Sequence, residues 1–335
     1  MRKLSIKKRK VVLAGVLFCA CLAVFMMLLY AVSPVDDQHR TATVEIPIGS
    51  GFRQIVQILD DAGLVKNKSL FYSLAIIKKA HKHIHAGEYE FSTDMTPVEI
   101  IDKLVKGIVK AYKVTIPEDL TIREVAVRLA SLRLIDEKEF YALAKDKAFL
   151  KSLNIQSASV EGFMFPNTYN FTRSMGAREI IKVMVNQFWK SYTPEMRKRA
   201  ADIGWTTEKV ITLASLIGKE SGFKEEKSLI AAVFHNRLKK GMKLQSDPTA
   251  VYDLNDFNGA VKKGHLRRLS PYNTYVIDGL PPGPIANPGI DSIYAALFPA
   301  SVDYLYFVSN GNGSHLFSSS FSSHQEAIQY YQHHR

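Results

Sequence analysis

Residues 11–32 read VVLAGVLFCACLAVFMMLLYAV, 22 positions without a charge. A helix needs about 20 apolar residues to cross the hydrocarbon core of a bilayer, so this run is expected to be a membrane span. A cleaved signal peptide has an apolar centre of only about 7–15 residues before small residues at its cut. Here the run is longer, and Ala31-Val32-Ser33 is a poor site. Six basic residues (Arg2, Lys3, Lys7, Lys8, Arg9, Lys10) precede the span and Asp36-Asp37 follow it. The amino terminus is therefore expected in the cytoplasm and the rest of the chain outside it, anchored by one pass in the inner (cytoplasmic) membrane. The same cluster accounts for much of the net charge of +12: of 44 Lys and Arg, the other 38 face 32 Asp and Glu. That balance does not make a nucleic-acid-binding stripe, and leaves mild attraction to an anionic polymer or membrane surface. Both cysteines, Cys19 and Cys21, lie inside the span. The exported part thus has no disulfide, no thiol nucleophile and no Cys-ligated metal site.

With 335 residues, 47% of them apolar, the chain is expected to fold as two or three domains. After a polar linker, 33–42, a repeat becomes visible. Adding 70 to each number superimposes Val44-Glu45-Ile46-Pro47 on Val114-Thr115-Ile116-Pro117, Leu59 on Leu129, Leu64-Val65 on Leu134-Ile135 and Leu70-Phe71 on Phe140-Tyr141. Each copy reads as a short alternating strand ending in Pro, a helix with apolar spacings of three and four, and a second helix opening near Asn67 or Asp136. The first copy closes with a strand at 87–91, giving a βααβ unit over 43–92. A helix follows over 96–106, with Thr96 at its N-cap and Pro97 at N1, and leads into a strand over 110–116. Such a unit just outside a membrane resembles the LysM module that binds N-acetylglucosamine-containing glycans. The alternative is a plain spacer. His81, His83 and His85 lie among Lys78, Lys79 and Lys82, and read as an exposed basic connection rather than a metal cluster.

Beyond residue 157, Pro, Asn and Gly concentrate in short polar strings of the kind that carry binding groups. One helix stands out, opening at Thr206-Thr207-Glu208. Its apolar stripe is Val210, Leu213, Ala214 and Ile217, and three residues on, the same face carries Glu220. Gly222 is expected to end this helix and to leave Glu220 in the last turn, at the core's edge. The negative end of the helix dipole and partial burial both push that carboxyl's pKa upward. A carboxyl kept protonated near neutral pH suits a general acid; a core-edge Glu paired with Lys219 or Arg237 is the plainer alternative. No HExxH, G-x-S-x-G, Gly-rich phosphate loop or metal-ligand spacing is present, so neither a metal nor a cofactor is expected. Instead, Glu220 is accompanied by Asn236, Gln245, Ser246 and Asp247, and by Tyr169, Tyr252, Tyr272 and Tyr275. Short polar and aromatic side chains of this kind suit a sugar polymer.

The strings NRL-x-x-G-M-x-LQSDPT-x-x-Y, SPYNTY-x-x-x-GLPPGPI-x-NPG, EG-x-x-x-P-N-TY and YLYFV followed by H-x-F-S resemble the MltG (YceG-like) family of endolytic murein transglycosylases. The resemblance covers nearly the whole chain. It implies an α+β fold: a basic tail (1–10), one transmembrane helix (11–32), a linker (33–42), a LysM-like module (43–112) and a mixed α/β catalytic domain (113–335). It places the catalytic role on Glu220 and substrate contacts on Glu161, Tyr169, Ser221, Asn236, Gln245, Ser246, Asp247, Tyr272, Asn273 and Asn287. The implied substrate is nascent peptidoglycan, cut at the MurNAc-GlcNAc β-1,4 bond to leave a 1,6-anhydro end and stop strand elongation. Penicillin-binding proteins of the wall-synthesis machinery are the implied partners. A hydrolase would want two carboxylates flanking the bond, which makes Asp247 and Glu161 the residues to watch. Two other readings stay open: a non-enzymatic wall-binding scaffold, and a pyridoxal-phosphate lyase using Lys219.

Overall fold

A computed structural model describes residues 6–254, 257 and 259–333. The chain is α+β and divides into two compact units, Met1–Tyr112 with Thr172–Ser174, and Lys113–Phe171 with Met175–Arg335.

The first unit begins with α1 (Ile6–Val32), of which Lys10–Val32 has a mean hydropathy of 2.9 and is long and apolar enough to cross a membrane. The foot of α1 is not free of the unit: Tyr30 and Ala31 are buried, and the Tyr30 hydroxyl donates to Asn67 O at 3.1 Å. Strand β1 (Thr41–Ile46), helices α2 (Phe52–Asp61) and α3 (Lys68–Ile77), and strand β2 (Gly87–Ser92) then form a βααβ unit. The two strands pair antiparallel, with Thr41 opposite Ser92 and Ile46 opposite Gly87. Their alternation turns Val44, Ile46, Tyr89 and Phe91 onto a core shared with Leu59 and Phe71. Helix α4 (Pro97–Val105) opens with a capping box between Thr96 and Glu99 and closes that core with Ile100, Ile101 and Leu104. Of the histidines in the connection, His83 and His85 are exposed, and the His81 ring lies 6.4 Å from Phe52.

The second unit starts with the other copy of the repeat, β3 (Tyr112–Ile116), α5 (Ile122–Ser131) and α6 (Glu137–Ala144). Its strand pairs not with a local partner but with β4 (Asn167–Phe171), beyond α7 (Lys147–Ser152). Helices α8 (Gly176–Ser191) and α9 (Pro194–Asp202) lead to α10 (Thr207–Glu220), which is capped by Thr206 and buried at residues 210–218. Helix α10 is the centre of the unit. Helices α11 (Lys224–Lys239) and α13 (Ile290–Leu297) pack against it. Between them a long irregular segment holds only a 3-10 turn (Asp247–Ala250) and the short α12 (Lys263–Leu266) among the described residues. A hairpin, β5 (Tyr306–Ser309) and β6 (His315–Ser318), and α14 (Phe321–His333) complete it.

Two glycines show how closely the loops approach α10. A Cβ on Gly218 would lie 1.8 Å from Asp119 Oδ1, and one on Gly162, at φ +86, would lie 2.8 Å from Ile211 on α10 and 2.6 Å from Pro284. Only glycine allows both approaches.

Candidate functional site

Helix α10 ends at Glu220, two residues before the glycine that the sequence pattern points to. Ser221 leaves the helix in an extended conformation (φ −144) while its N–H still bonds Ile217 O at 3.2 Å. Its hydroxyl accepts from Phe223 N at 3.0 Å and donates to Glu226 at 3.4 Å. Glu226 in turn holds His315, through the backbone N–H at 2.9 Å and the ring at 2.8 Å. Ser221 and the H-x-F-S string therefore fix the chain just past Glu220. Glu220 itself is partly exposed, and among the described residues its Oε1 accepts one hydrogen bond, from Ser246 Oγ at 2.5 Å. Burial of the carboxyl lifts its pKa to about 7. The Ser246 hydroxyl and, more weakly, Arg237 oppose the shift, while Asp247 adds to it.

Ser246 is presented by a short loop braced from several sides. Arg237, on α11, donates to Leu305 O at 2.7 Å and to Leu244 O at 2.8 Å, and reaches Gln245 Oε1 at 3.3 Å. Gln245 has φ 52, a left-handed conformation that costs a non-glycine residue, and its N–H bonds Thr274 O at 3.1 Å. The next N–H, of Ser246, bonds Thr274 Oγ1 at 2.9 Å. Asp247, exposed, accepts from the Tyr275 hydroxyl at 2.5 Å. Asp247 and Lys219, each the chain neighbour of one member of the Ser246-Glu220 pair, line a cavity of about 460 Å³. The Lys219 ammonium donates to Asp119 O at 3.3 Å.

Glu161 lies elsewhere in the network. It is 1% exposed; both its oxygens take the Ile122 N–H at the start of α5, at 2.9 and 3.0 Å, one takes the Tyr252 hydroxyl at 2.9 Å, and the other the Asn287 amide at 3.0 Å. Burial lifts its pKa to about 7 against those donors. Asn287 is fully buried; besides Glu161 it bonds Gly162 N, Met164 N and Leu120 O. Asn273 donates to His265, Leu266 and Arg268 carbonyls, and Asn236 to Val302 and Tyr304 carbonyls. Tyr169 is buried, stacked on Phe171 with its hydroxyl on Phe165 O. The Tyr272 ring sits 4.7 Å from that of Tyr252. Of the sequence candidates, the fold brings Ser246 onto Glu220 with Asp247 near enough to act on its charge, holds Gln245 on Arg237, sets Ser221 immediately behind Glu220, and engages Asn236, Asn273, Asn287 and Tyr169 in holding loops.

Sequence reasoning did not find Thr274, which a polar run conceals, or Asp119, which follows β3 with φ 63. Burial raises the Asp119 pKa to about 6, and its Oδ1 is buried without a hydrogen-bond partner among the described residues. Among the same residues, no group of three or more His, Cys, Asp or Glu is placed to hold a metal ion.

The YceG-like family model matches residues 44–330. The endolytic murein transglycosylase of Bacillus subtilis (strain 168) is 34% identical over 319 residues, covering 89% of this chain and 87% of that protein. The protein of the same name from Streptococcus pneumoniae serotype 2 (strain D39) is 28% identical, over 85% of this chain but 57% of its own length. A crystal structure of a YceG-like protein from Listeria monocytogenes superimposes with a TM-score of 0.60 at 32% identity, covering 86% of this chain and 99% of that one. With a match that starts at β1 and reaches into α14, the chain belongs to the YceG-like family.

Proposed function

We propose that the chain is an endolytic murein transglycosylase, a lyase that cuts peptidoglycan glycan strands internally, with Glu220 as its acid and base. The observation that carries this reading is the state of Glu220: a partly exposed carboxyl with a pKa of about 7, held by a serine hydroxyl, with the chain neighbours Lys219 and Asp247 lining a cavity. Protonated, it gives its proton to the glycosidic oxygen as the C1–O bond of N-acetylmuramic acid breaks. The carboxylate so formed takes the proton of the same sugar's C6 hydroxyl as that oxygen closes on C1. No water is consumed, one carboxyl serves both steps, and the product ends in a 1,6-anhydro ring. Glu161, enclosed by three donors, has no part in the chemistry in this scheme; Asp247 tunes Glu220 and orients sugar with Gln245 and Tyr272.

The module at 43–112 serves as a LysM-like element that improves capture or reach, and residues 113–335 form the catalytic domain. Helix α1 anchors the protein in the cytoplasmic membrane with its amino terminus inside. That position places the activity beside the synthases, penicillin-binding proteins among them, that extrude new strands. Full-length protein in detergent micelles, incubated with long uncrosslinked strands, should shorten the whole length distribution at once. Release of disaccharides alone would mean cutting from the ends, and no shortening would favour the wall-binding scaffold.

A further inference from the structure

The cavity lined by Lys219 and Asp247, the chain neighbours of Glu220 and Ser246, has features that a neutral sugar does not call for. One wall is apolar, with Val251, Leu254 and Ile285. Its polar groups are mostly engaged: the Tyr252 hydroxyl is on Glu161, Asp247 takes the Tyr275 hydroxyl, and Glu124 turns back to accept the Thr121 N–H of its own helix at 2.6 Å. Beside these two carboxylates, Glu124 and Asp247, the lining carries two cations. Arg123 donates from one nitrogen to Leu254 O at 2.7 Å, and Lys219 donates to the Asp119 carbonyl at 3.3 Å while its charge also acts on the Asp119 carboxyl. Neither forms an ion pair among the described residues, although cations that line a cavity gain most from an anionic partner. An apolar wall beside two cations and two carboxylates matches a short charged peptide with small alkyl side chains better than a neutral ring of hydroxyls.

Peptidoglycan carries such a peptide on the lactyl ether of each N-acetylmuramic acid, with alanine methyls and free carboxylates. Resting on the murein reading above, we propose that this cavity receives the peptide arm of the muramic acid at the cleaved bond. Its methyls lie against Val251, Leu254 and Ile285, and its carboxylates meet Arg123 and Lys219. The enzyme then distinguishes strands that still bear peptides from bare ones, and an amide hydrolysis that strips peptides belongs after this cut, not before it.

The test uses the full-length protein in micelles and three forms of the same uncrosslinked strands: native, stripped of peptide by an amidase, and native with the peptide carboxylates amidated. Native strands should be cut with the highest kcat/KM, and both stripping and amidation should lower it. Arg123→Gln and Lys219→Gln should each narrow the native-to-amidated ratio by about tenfold, the loss expected for one charge-assisted hydrogen bond. The wild-type comparison stands even if a variant folds poorly. Equal cleavage of native and stripped strands, or of native and amidated strands, would overturn the proposal while leaving the transglycosylase reading intact. Failure to cut any of the three would overturn both.

Discussion

Glu161 and Glu220 are both withdrawn from bulk water, and both have pKa values lifted to about 7, but the groups that face them differ. Glu161 is closed in by the first N–H of α5, a tyrosine hydroxyl and an asparagine amide. Glu220 has one serine hydroxyl, a strained loop in front of it and partial exposure. A perturbed pKa therefore does not by itself identify a catalytic carboxyl. The difference lies in what remains open: Glu161 joins α5 to the loop that carries Asn287, whereas Glu220 keeps lone pairs for something that arrives from outside.

The largest expected effect is on rate. Glu220→Gln should lower strand cleavage by roughly 10²–10⁴-fold, the worth of positioned proton transfer, with thermal stability unchanged or raised. Retained activity would make Glu220 a second brace and erase the distinction. Glu161→Ala should do the reverse, leaving three buried donors unpaired at about 1–3 kcal/mol each, seen as a large fall in Tm under conditions where any folded enzyme still cuts. Acidity sharpens the contrast. Because the folded pKa of Glu161 lies above the 4.5 of a free glutamate, its contribution to stability is full below about 4.5 and is lost as pH rises through about 7. The difference in unfolding free energy between the wild type and Glu161→Gln should change over that window by on the order of 3 kcal/mol; a flat difference would mean that the donors hold Glu161 ionised throughout.

At Glu220 the same sign governs catalysis. A general acid with a pKa of about 7 should give a kcat/KM that falls as pH rises through that value. Ser246→Ala removes the hydrogen bond that favours the carboxylate, so the falling limb should move to higher pH, with a rate loss of about tenfold. A limb that stays in place would mean that another group sets the acidity. The smallest expected effect is that of Asn236→Ala, which forfeits two hydrogen bonds to the 302–304 backbone. It should cost about 1–2 kcal/mol of stability and leave KM unchanged; a raised KM with an unchanged Tm would make Asn236 a substrate contact after all.

Local features of the fold could be read in the sequence. The stripe at Val210, Leu213, Ala214 and Ile217 and the cap at Thr206 define α10, and the 70-residue offset marks two strand-helix-helix copies. What the sequence could not supply was the partner of each polar side chain. Glu161 meets Asn287 across 126 positions, and Arg237 meets Leu305 across 68. No periodicity encodes such pairings, so Glu161, Asn236, Asn273 and Asn287 read from sequence as sugar ligands just as well as loop anchors. The helix end misled for a related reason. A glycine at 222 suggests the stop, but the hydroxyl of Ser221 caps the following turn and draws the chain out of the helix earlier. Likewise the two copies of the repeat look alike until their strands find different partners, β2 next to β1 in the first, and β4 in the second.

The central claim is that one carboxyl, Glu220, does both proton transfers and that the C6 hydroxyl replaces water. Mass spectrometry of the fragments cut from defined strands tests it directly. Every newly made muramic acid end should be lighter by one water than a reducing end, and those fragments should vanish with Glu220→Gln. Ordinary reducing ends, or anhydro ends produced undiminished by the variant, would contradict it.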